Sequence, residues 1–472
     1  MTTDFTDRRG FLKQGGALLV GISLAGCAAA PARSKRTAPT SIELKPGPPV
    51  ATRIDTWLAI HEDNSATLYL GFAELGQGTT TALLQVAAEE LDLGMDQIRA
   101  APLDTHISPN QGGTYSSASI QRGRPQIAQA AAHARAALLA RAAMRLETPA
   151  EQLIVERGVV RVANKPRRAV TFGELIGGKR FDLAMTGTAA LKPVSAYKLV
   201  AQRVPRVDLA AKVNATHTYI QQLRLPGMLH ARIVRPRGQP AYGSGARVVK
   251  VDETSVQKID GVRVVRRGDF IGVLAPLEWD AVRAAAQLVV EWDQPQALPG
   301  SDALHTQMRA GTALENTVLE RGNVRVASGE ADVTVVQRGL APYQAHAPFA
   351  PNCALADIRA TAGLVICSSQ DVYAARRSIA GVLGMQQEQL RVQYAEGSGT
   401  YGHSCYDDAA QAAALLSQLA GVPVRLQFMR WDEHGWDTYG PPHVGEVRVS
   451  ADAAGKLVSY EYHGWQHNWS QV

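Results

Sequence analysis

Three short runs of glycine and small hydroxyl residues, each leading toward a helix-like stretch, constrain this chain most. The first, Gly76-Gln77-Gly78-Thr79-Thr80, follows a strand over Thr67–Leu70. It opens a helix over Thr79–Leu91, where Leu83, Ala87 and Leu91 form one stripe with Glu89 and Glu90 away from it. The second, Gly112-Gly113-Thr114-Tyr115-Ser116-Ser117-Ala118-Ser119, leads into an alanine-rich helix from about Gln126 to Arg145. The third, Gly397-Ser398-Gly399-Thr400-Tyr401-Gly402, lies between a strand over Leu390–Tyr394 and a helix over Asp407–Ala420 that Gly421 and Pro423 close. Glycines let the backbone approach a ligand, and a following helix offers unpaired amides to an anion, so a phosphate fits the first turn. A ligand with a diphosphate and a polar heterocycle would use the first two turns together.

The remaining texture is that of an α+β chain. Strands are predicted over Val159–Ala163, Thr216–Ile220, Val262–Val265, Leu288–Trp292, Leu364–Cys367 and Val424–Met429. With 472 residues, 46% of them apolar, several cores can be buried. The net charge of +6 is dispersed without a basic run in the mature part, which argues against a nucleic-acid partner. The segment 1–30 has the layout of an export signal: Arg8, Arg9 and Gly10-Phe11-Leu12-Lys13, then an apolar run from Ala17 to Ala25 too short to span a bilayer. The paired arginines resemble a twin-arginine signal, so a periplasmic location is expected. Leu24-Ala25-Gly26-Cys27 resembles a lipoprotein box, which would leave a lipid on Cys27 as the sole membrane attachment. Residues 31–50 read as a linker. Cys353, Cys367 and Cys405 have no zinc or iron–sulfur spacing, and no Cys-x-x-Cys-His is present, so an electron carrier belongs on another polypeptide.

Single residues add to this. Gln370 follows the Leu364–Cys367 strand, at a strand end where its amide could donate to a ligand. His217, His230, His346 and His443 lack the spacing of a metal pair and read as structural or exposed, so no metal ligand is expected from the protein. Asp407 and Asp408 read as a helix cap. The third turn also has G-x-G-x-x-G spacing, so an NAD-dependent dehydrogenase is the competing reading. Yet the helix begins late, and the first acids after it are Asp432 and Glu433, beyond the place where a ribose-binding acid belongs.

Six stretches in order carry a resemblance: Glu74-Leu75-Gly76-Gln77-Gly78, Ser117-Ala118-Ser119, Val204-Pro205-Arg206-Val207-Asp208, Pro226-Gly227-Met228-Leu229-His230-Ala231, Gly268-Asp269-Phe270 and Ala345-His346-Ala347-Pro348. From about Ile54 onward the chain resembles the molybdenum-binding subunits of the xanthine dehydrogenase and aldehyde oxidase superfamily, in the branch of isoquinoline 1-oxidoreductase beta and nicotinate dehydrogenase large subunits. The resemblance implies molybdopterin-binding segments over 51–200 and 310–472, with an α/β-hammerhead domain inserted over 201–300. By the same likeness Gly76, Gln77, Gly78, Ser117 and Ser119 match positions that hold the pterin and its diphosphate. Gln370 matches a glutamine that hydrogen-bonds an oxygen ligand of molybdenum, and Gly399, Tyr401, Gly402 and His403 match the stretch beside the metal. The implied cofactor is molybdopterin cytosine dinucleotide, with no protein ligand to molybdenum. The implied reaction inserts a water-derived oxygen into an N-heteroaromatic compound or an aldehyde. Electrons would leave through a partner subunit with 2Fe-2S clusters, and a cytochrome c is a candidate acceptor.

Two departures qualify that picture. Cys405 stands where purine hydroxylases carry a glutamate, which disfavours a purine. The family's general base, a glutamate in a Gly-Glu pair far toward the C-terminus, is expected beyond Val472. Gly445-Glu446 does not replace it, because Glu446 and Arg448 share the solvent face of an alternating strand. A truncated, non-catalytic remnant of the subunit is therefore a further alternative.

Overall fold

A computed structural model describes residues 49–176, 178–236, 246–293, 300–311, 316–405 and 407–467. The signal-like segment, Cys27 and the linker up to residue 48 lie outside the described residues.

Strands β1 (Leu58–Ile60) and β2 (Ala66–Leu68) pair antiparallel, and β2 pairs parallel with β3 (Ile98–Ala100). A parallel pair needs a crossover, and α1 (Thr79–Leu91) supplies it. The short helix α2 (Ala118–Gln121) leads into α3 (Gly123–Arg145), whose alanines let it lie close on α1. The meander β4 (Leu153–Glu156), β5 (Val159–Val162) and β6 (Lys165–Thr171) turns Val160, Val162 and Val170 into the same core. Glu89 and Glu90 do not face solvent as the stripe suggested. Both are 2% exposed, because residues 192–200 cover that side of α1. The Glu89 carboxylate accepts from the Lys192 ammonium and from the amides of Lys198, Leu199 and Val200. Burial pushes its carboxyl up, but these donors outweigh it and hold it below the usual range.

Strands β7 (Leu229–Val234), β8 (Val248–Asp252), β9 (Arg263–Arg267) and β10 (Phe270–Ala275) precede α4 (Glu278–Gln287) and β11 (Val289–Trp292). After β12 (Val333–Ala341) come β13 (Cys353–Ile358), β14 (Gly363–Cys367), α5 (Val372–Leu383), β15 (Leu390–Tyr394), α6 (Asp408–Ala420) and β16 (Val424–Gln427). Helix α7 (Arg430–Trp436) and strands β17 (His443–Ala451) and β18 (Leu457–Gln466) follow. A seven-stranded sheet runs β15-β14-β13-β16-β7-β10-β9, with β14–β15 and β16–β7 parallel and the other pairs antiparallel. Segments 201–300 and 310–472 thus build one sheet together.

Strand β14 reads Gly-Leu-Val-Ile-Cys and is buried throughout, as a strand covered on both faces must be. Helices α5 and α6 cover one face of this region. Ile220 and Leu225 cover the other, against Cys353, Leu355, Leu364 and Ile366. The strand expected over Thr216–Ile220 is absent. Ile220 instead starts a 3-10 turn (Ile220–Gln222), with its amide on the Glu396 carbonyl and its side chain plugged into that face. Cys353 and Cys367 are buried free thiols, and burial pushes Cys353 up to about 11, so both stay protonated and inert. Strands β12, β17 and β18 form a separate antiparallel sheet. No helix of the described residues is long and apolar enough to cross a membrane.

Candidate cofactor site

The second and third turns meet around one side chain, Gln370, and the segment leading into the first turn is bonded to the second. Gln370 sits just beyond β14 and is 4% exposed, so it is no solvated loop residue. Its amide donates to the Thr114 carbonyl at 2.8 Å, and the Thr114 amide donates back to the Gln370 carbonyl at 2.8 Å. Thr400 donates its hydroxyl to Gln370 Oε1 at 3.3 Å, and the Gln370 amide donates to the Ser404 carbonyl. Gln370 therefore ties the second turn to the third. Thr114 ties the second to the segment entering the first, accepting from the amide of Ala73, three residues ahead of Gly76, at 2.9 Å. A charged chain adds a third link. Arg206 donates to the Gly76 carbonyl and is held by Asp208; Lys212 bridges Asp208 to Glu396, the residue before the third turn.

In the first turn Gly76 (φ 105°) and Gly78 (φ 80°) both adopt left-handed backbone, and nothing lies within 4 Å of where a Gly76 Cβ would project. The backbone is open to a ligand there. Its amides are not, which corrects the phosphate reading of this turn. One oxygen of Glu74 accepts from the amides of Gly76 and Gly78 and the other from Thr80, so an internal carboxylate fills the anion position at the start of α1. Gln77 is exposed but folded back, accepting from the Leu75 amide and donating to the Ala73 carbonyl and Thr79 hydroxyl. In the second turn Ser116 and Ser117 have φ of 51° and 59°; Ser117 is exposed and Ser119 buried. In the third Tyr401 has φ 51° and is 66% exposed, and Gly399 and Gly402 are half-buried. Ser116, Ser117, Tyr401 and Ala347 are four of the eleven non-glycine residues with left-handed φ among the described residues.

Asp407 occupies the N-cap position of α6 without capping it. Its side chain is buried and bonded to Ser369, and burial pushes its carboxyl up to about 7. Cys405 is a half-buried thiol pushed up to about 11 by burial and by Asp407. Glu446 lies on β17 and pairs with the exposed Arg338 at 2.7 Å, in keeping with its place on an alternating strand. A cavity of about 330 Å³ lined by Arg235, Phe270, Trp292 and Trp436, among others, includes none of the turn residues.

One cluster is not foreshadowed by the sequence. His346 and His403 both present Nδ1 to the Asp437 carboxylate, at 3.1 and 2.5 Å. The histidine read as merely structural or exposed thus belongs to a group of three. The partners lie 91 and 34 residues from Asp437, far outside any local ligand spacing, so no sequence signal marks them. Burial opposes a charge on His403, but the carboxylates of Asp408, Asp437 and Glu433 around it lift it to about 10. Burial likewise raises Asp437, and the two imidazoles more than reverse that, holding it down at about 2. His346 leans on Gly402, where a Cβ would lie 3.3 Å from its Nε2; Gly402 has φ 106°. His217, His230 and His443 stay outside the cluster.

The dinucleotide-binding alternative fails on topology. Strands β15 and β16, which flank the third turn and α6, are separated in the sheet by β14 and β13, and a 3-10 turn (His403–Cys405) intervenes before the helix.

Models of the molybdopterin cofactor-binding domain match residues 10–265 and 307–468. The chain belongs to the molybdopterin-binding subunits of the xanthine dehydrogenase family. This molybdopterin-binding chain is 36% identical over 414 residues to a nicotinate dehydrogenase subunit of Pseudomonas putida, covering 86% of the chain and 34% of that relative. It is 26% identical to the beta subunit of isoquinoline 1-oxidoreductase of Brevundimonas diminuta, covering 90% of the chain and 59% of the relative. A membrane-bound aldehyde dehydrogenase of Gluconacetobacter polyoxogenes matches at 27%, over 87% and 55%. The molybdopterin-binding chain thus spans between a third and three fifths of the length of these relatives. Among solved structures, the aldehyde oxidoreductase of Desulfovibrio gigas matches with a TM-score of 0.48 at 20% identity, over 55% of this chain and 34% of that one.

Proposed function

We propose that this chain binds molybdopterin cytosine dinucleotide at the three turns and serves as part of a molybdenum hydroxylase. The observation that carries the proposal is the hydrogen-bonded chain from Ala73 through Thr114 to Gln370 and Thr400, which links the second and third small-residue turns to the segment that enters the first. The turns fit such a group by their open faces. Gly76 leaves room at the backbone, and Gln77, Ser117 and Tyr401 are exposed. Gly78, Gly399 and Gly402 would form the rest of the contact surface. Gln370, Ser119 and His403 would act from behind it, since all three are buried.

When bound, the cofactor would supply two-electron oxidation of a carbon centre with oxygen from water. The protein's own part is to position and shield. Glu74 keeps the first turn preformed without the ligand, which lowers the ordering cost of binding. The names of two relatives support an N-heteroaromatic substrate, and a third supports an aldehyde. Cys405, neutral at physiological pH, replaces the acid expected for a purine. Electrons would pass to a 2Fe-2S subunit and on to an acceptor such as a cytochrome c. The twin-arginine-like segment supports periplasmic export of the loaded subunit, with Cys27 as a candidate lipid anchor.

Expression of the full chain in a host that makes the cytosine dinucleotide tests this reading. Purified protein should contain molybdenum and release cytidine monophosphate on acid hydrolysis, and Ser117→Trp should lower both. Folded wild-type protein without either would overturn the proposal.

A further inference from the structure

We infer that His346, His403 and Asp437, behind the third turn, form a binding site for a first-row divalent cation of the zinc and iron(II) class. One ligand atom from each residue lies within 4.8 Å of the others. Ligands about 2.1 Å from a shared ion and at right angles to each other stand about 3 Å apart. His346 Nδ1 is already 3.1 and 3.3 Å from the two Asp437 oxygens. His403 Nδ1 is closer, at 2.5 Å, and would open by about half an ångström to admit the ion.

The surroundings favour that opening. Behind the imidazole, His403 Nε2 faces Asp408 Oδ1 at 3.6 Å and Glu433 Oε2 at 3.7 Å, too far for hydrogen bonds. Both His403 Nε2 and Glu433 Oε2 are buried and lack a hydrogen-bond partner. A shift of the ring away from Asp437 would bring its Nε2–H onto a carboxylate, and metal-bound histidines normally donate their second nitrogen in this way. Two orphaned polar atoms would be satisfied by one small motion.

Charge points the same way. Asp437 and Glu433 have side chains only 3% and 1% exposed, and Asp408, the third carboxylate around His403, is shared with Arg235 at 3.3 Å. Buried carboxylates need a cation or protons close by. The frame is rigid as well: the His346 amide donates to Asp437, and Gln344 and Gly440 exchange main-chain hydrogen bonds two and three residues from the ligands. His346 remains 20% accessible, which leaves a path from solvent and an open coordination position. Two imidazoles and a carboxylate suit zinc, iron(II) or cobalt(II) better than calcium or magnesium.

The full chain, stripped with a chelator and titrated with cobalt(II), should take up one equivalent with visible ligand-field bands that zinc displaces. His346→Ala and Asp437→Asn should abolish these bands, and His346→Gln with an unchanged thermal melt guards against simple misfolding. Glu433→Gln should weaken binding by about 10- to 100-fold, as loss of an outer carboxylate does. His443→Ala, remote from the cluster, should bind as wild type does. Absence of cobalt uptake by folded wild-type chain, or equal uptake by His346→Ala and Asp437→Asn, would overturn the inference. Molybdenum content does not enter the readout, so failure of the cofactor proposal is separately visible.

Discussion

A carboxylate that accepts from three main-chain amides does at Glu74 what a bound anion would do at the same turn. Because its side chain is only 15% exposed, those bonds are partly sheltered from water. Glu74→Gln keeps the shape but turns an N–H toward one of the donors, leaving it unsatisfied. It should destabilise the chain by about 1–3 kcal/mol. Urea unfolding measures this, and an unchanged midpoint would mean the carboxylate is not what shapes the turn. The glycines of this turn were legible in the sequence, since only glycine takes φ of 105° at little cost. The role of Glu74 was not. It stands two residues before the turn, and nothing in its spacing distinguishes a side chain that fills the amide nest from a ligand that does. The His346, His403 and Asp437 group was hidden for the related reason that its members meet only through tertiary folding.

At the scale of elements, the local patterns were more faithful. Helix α1 has its expected ends because Gly78 begins it in left-handed conformation, and Gly421 closes α6 in the same way. Strand β15 likewise keeps its expected bounds. Thr216–Ile220 misled because an apolar residue among polar ones reads as alternation, whereas Ile220 is a single plug. Packing between elements was not readable at all, and Gly272 shows why. Its place in β10 looks ordinary, yet a Cβ there would lie 2.1 Å from Leu416 Cδ2 on α6. Gly272→Ala should therefore cost about 1–3 kcal/mol through overpacking. Leu416 is fully buried, so Leu416→Ala alone should cost about 2–5 kcal/mol through the cavity it leaves. Combined, the two should cost clearly less than their sum, because the new methyl enters the space the leucine vacated. Strict additivity in chemical denaturation would show that α6 does not press on β10 as described.

For the whole molecule, the decisive connection is the parallel pairing of β7 with β16, which joins segment 201–300 to segment 310–472. Contacts between strands so distant in sequence leave no local trace, which is why the two segments read as separate domains. One ionic group reinforces the joint. Glu278, at the start of α4, accepts at 2.9 Å from both Arg232 on β7 and Arg425 on β16, whose side chains are 5% and 2% exposed. Burial pushes the Glu278 carboxyl up, but the two guanidinium groups outweigh it and hold the value at about 2, below the ordinary 4.5. A carboxyl lowered by folding stabilises the folded chain above its unfolded value, and that contribution fades as pH falls from about 4.5 toward about 2. Wild type and Glu278→Gln should thus differ most near neutrality and converge on acidification across that window. Comparing their urea midpoints from pH 6 downward isolates this residue from other acids that titrate in the same range, since those are common to both chains. A gap that stays constant with pH would mean that the Glu278 charge adds nothing to the joint, leaving strand pairing and shared apolar burial to hold the two segments together.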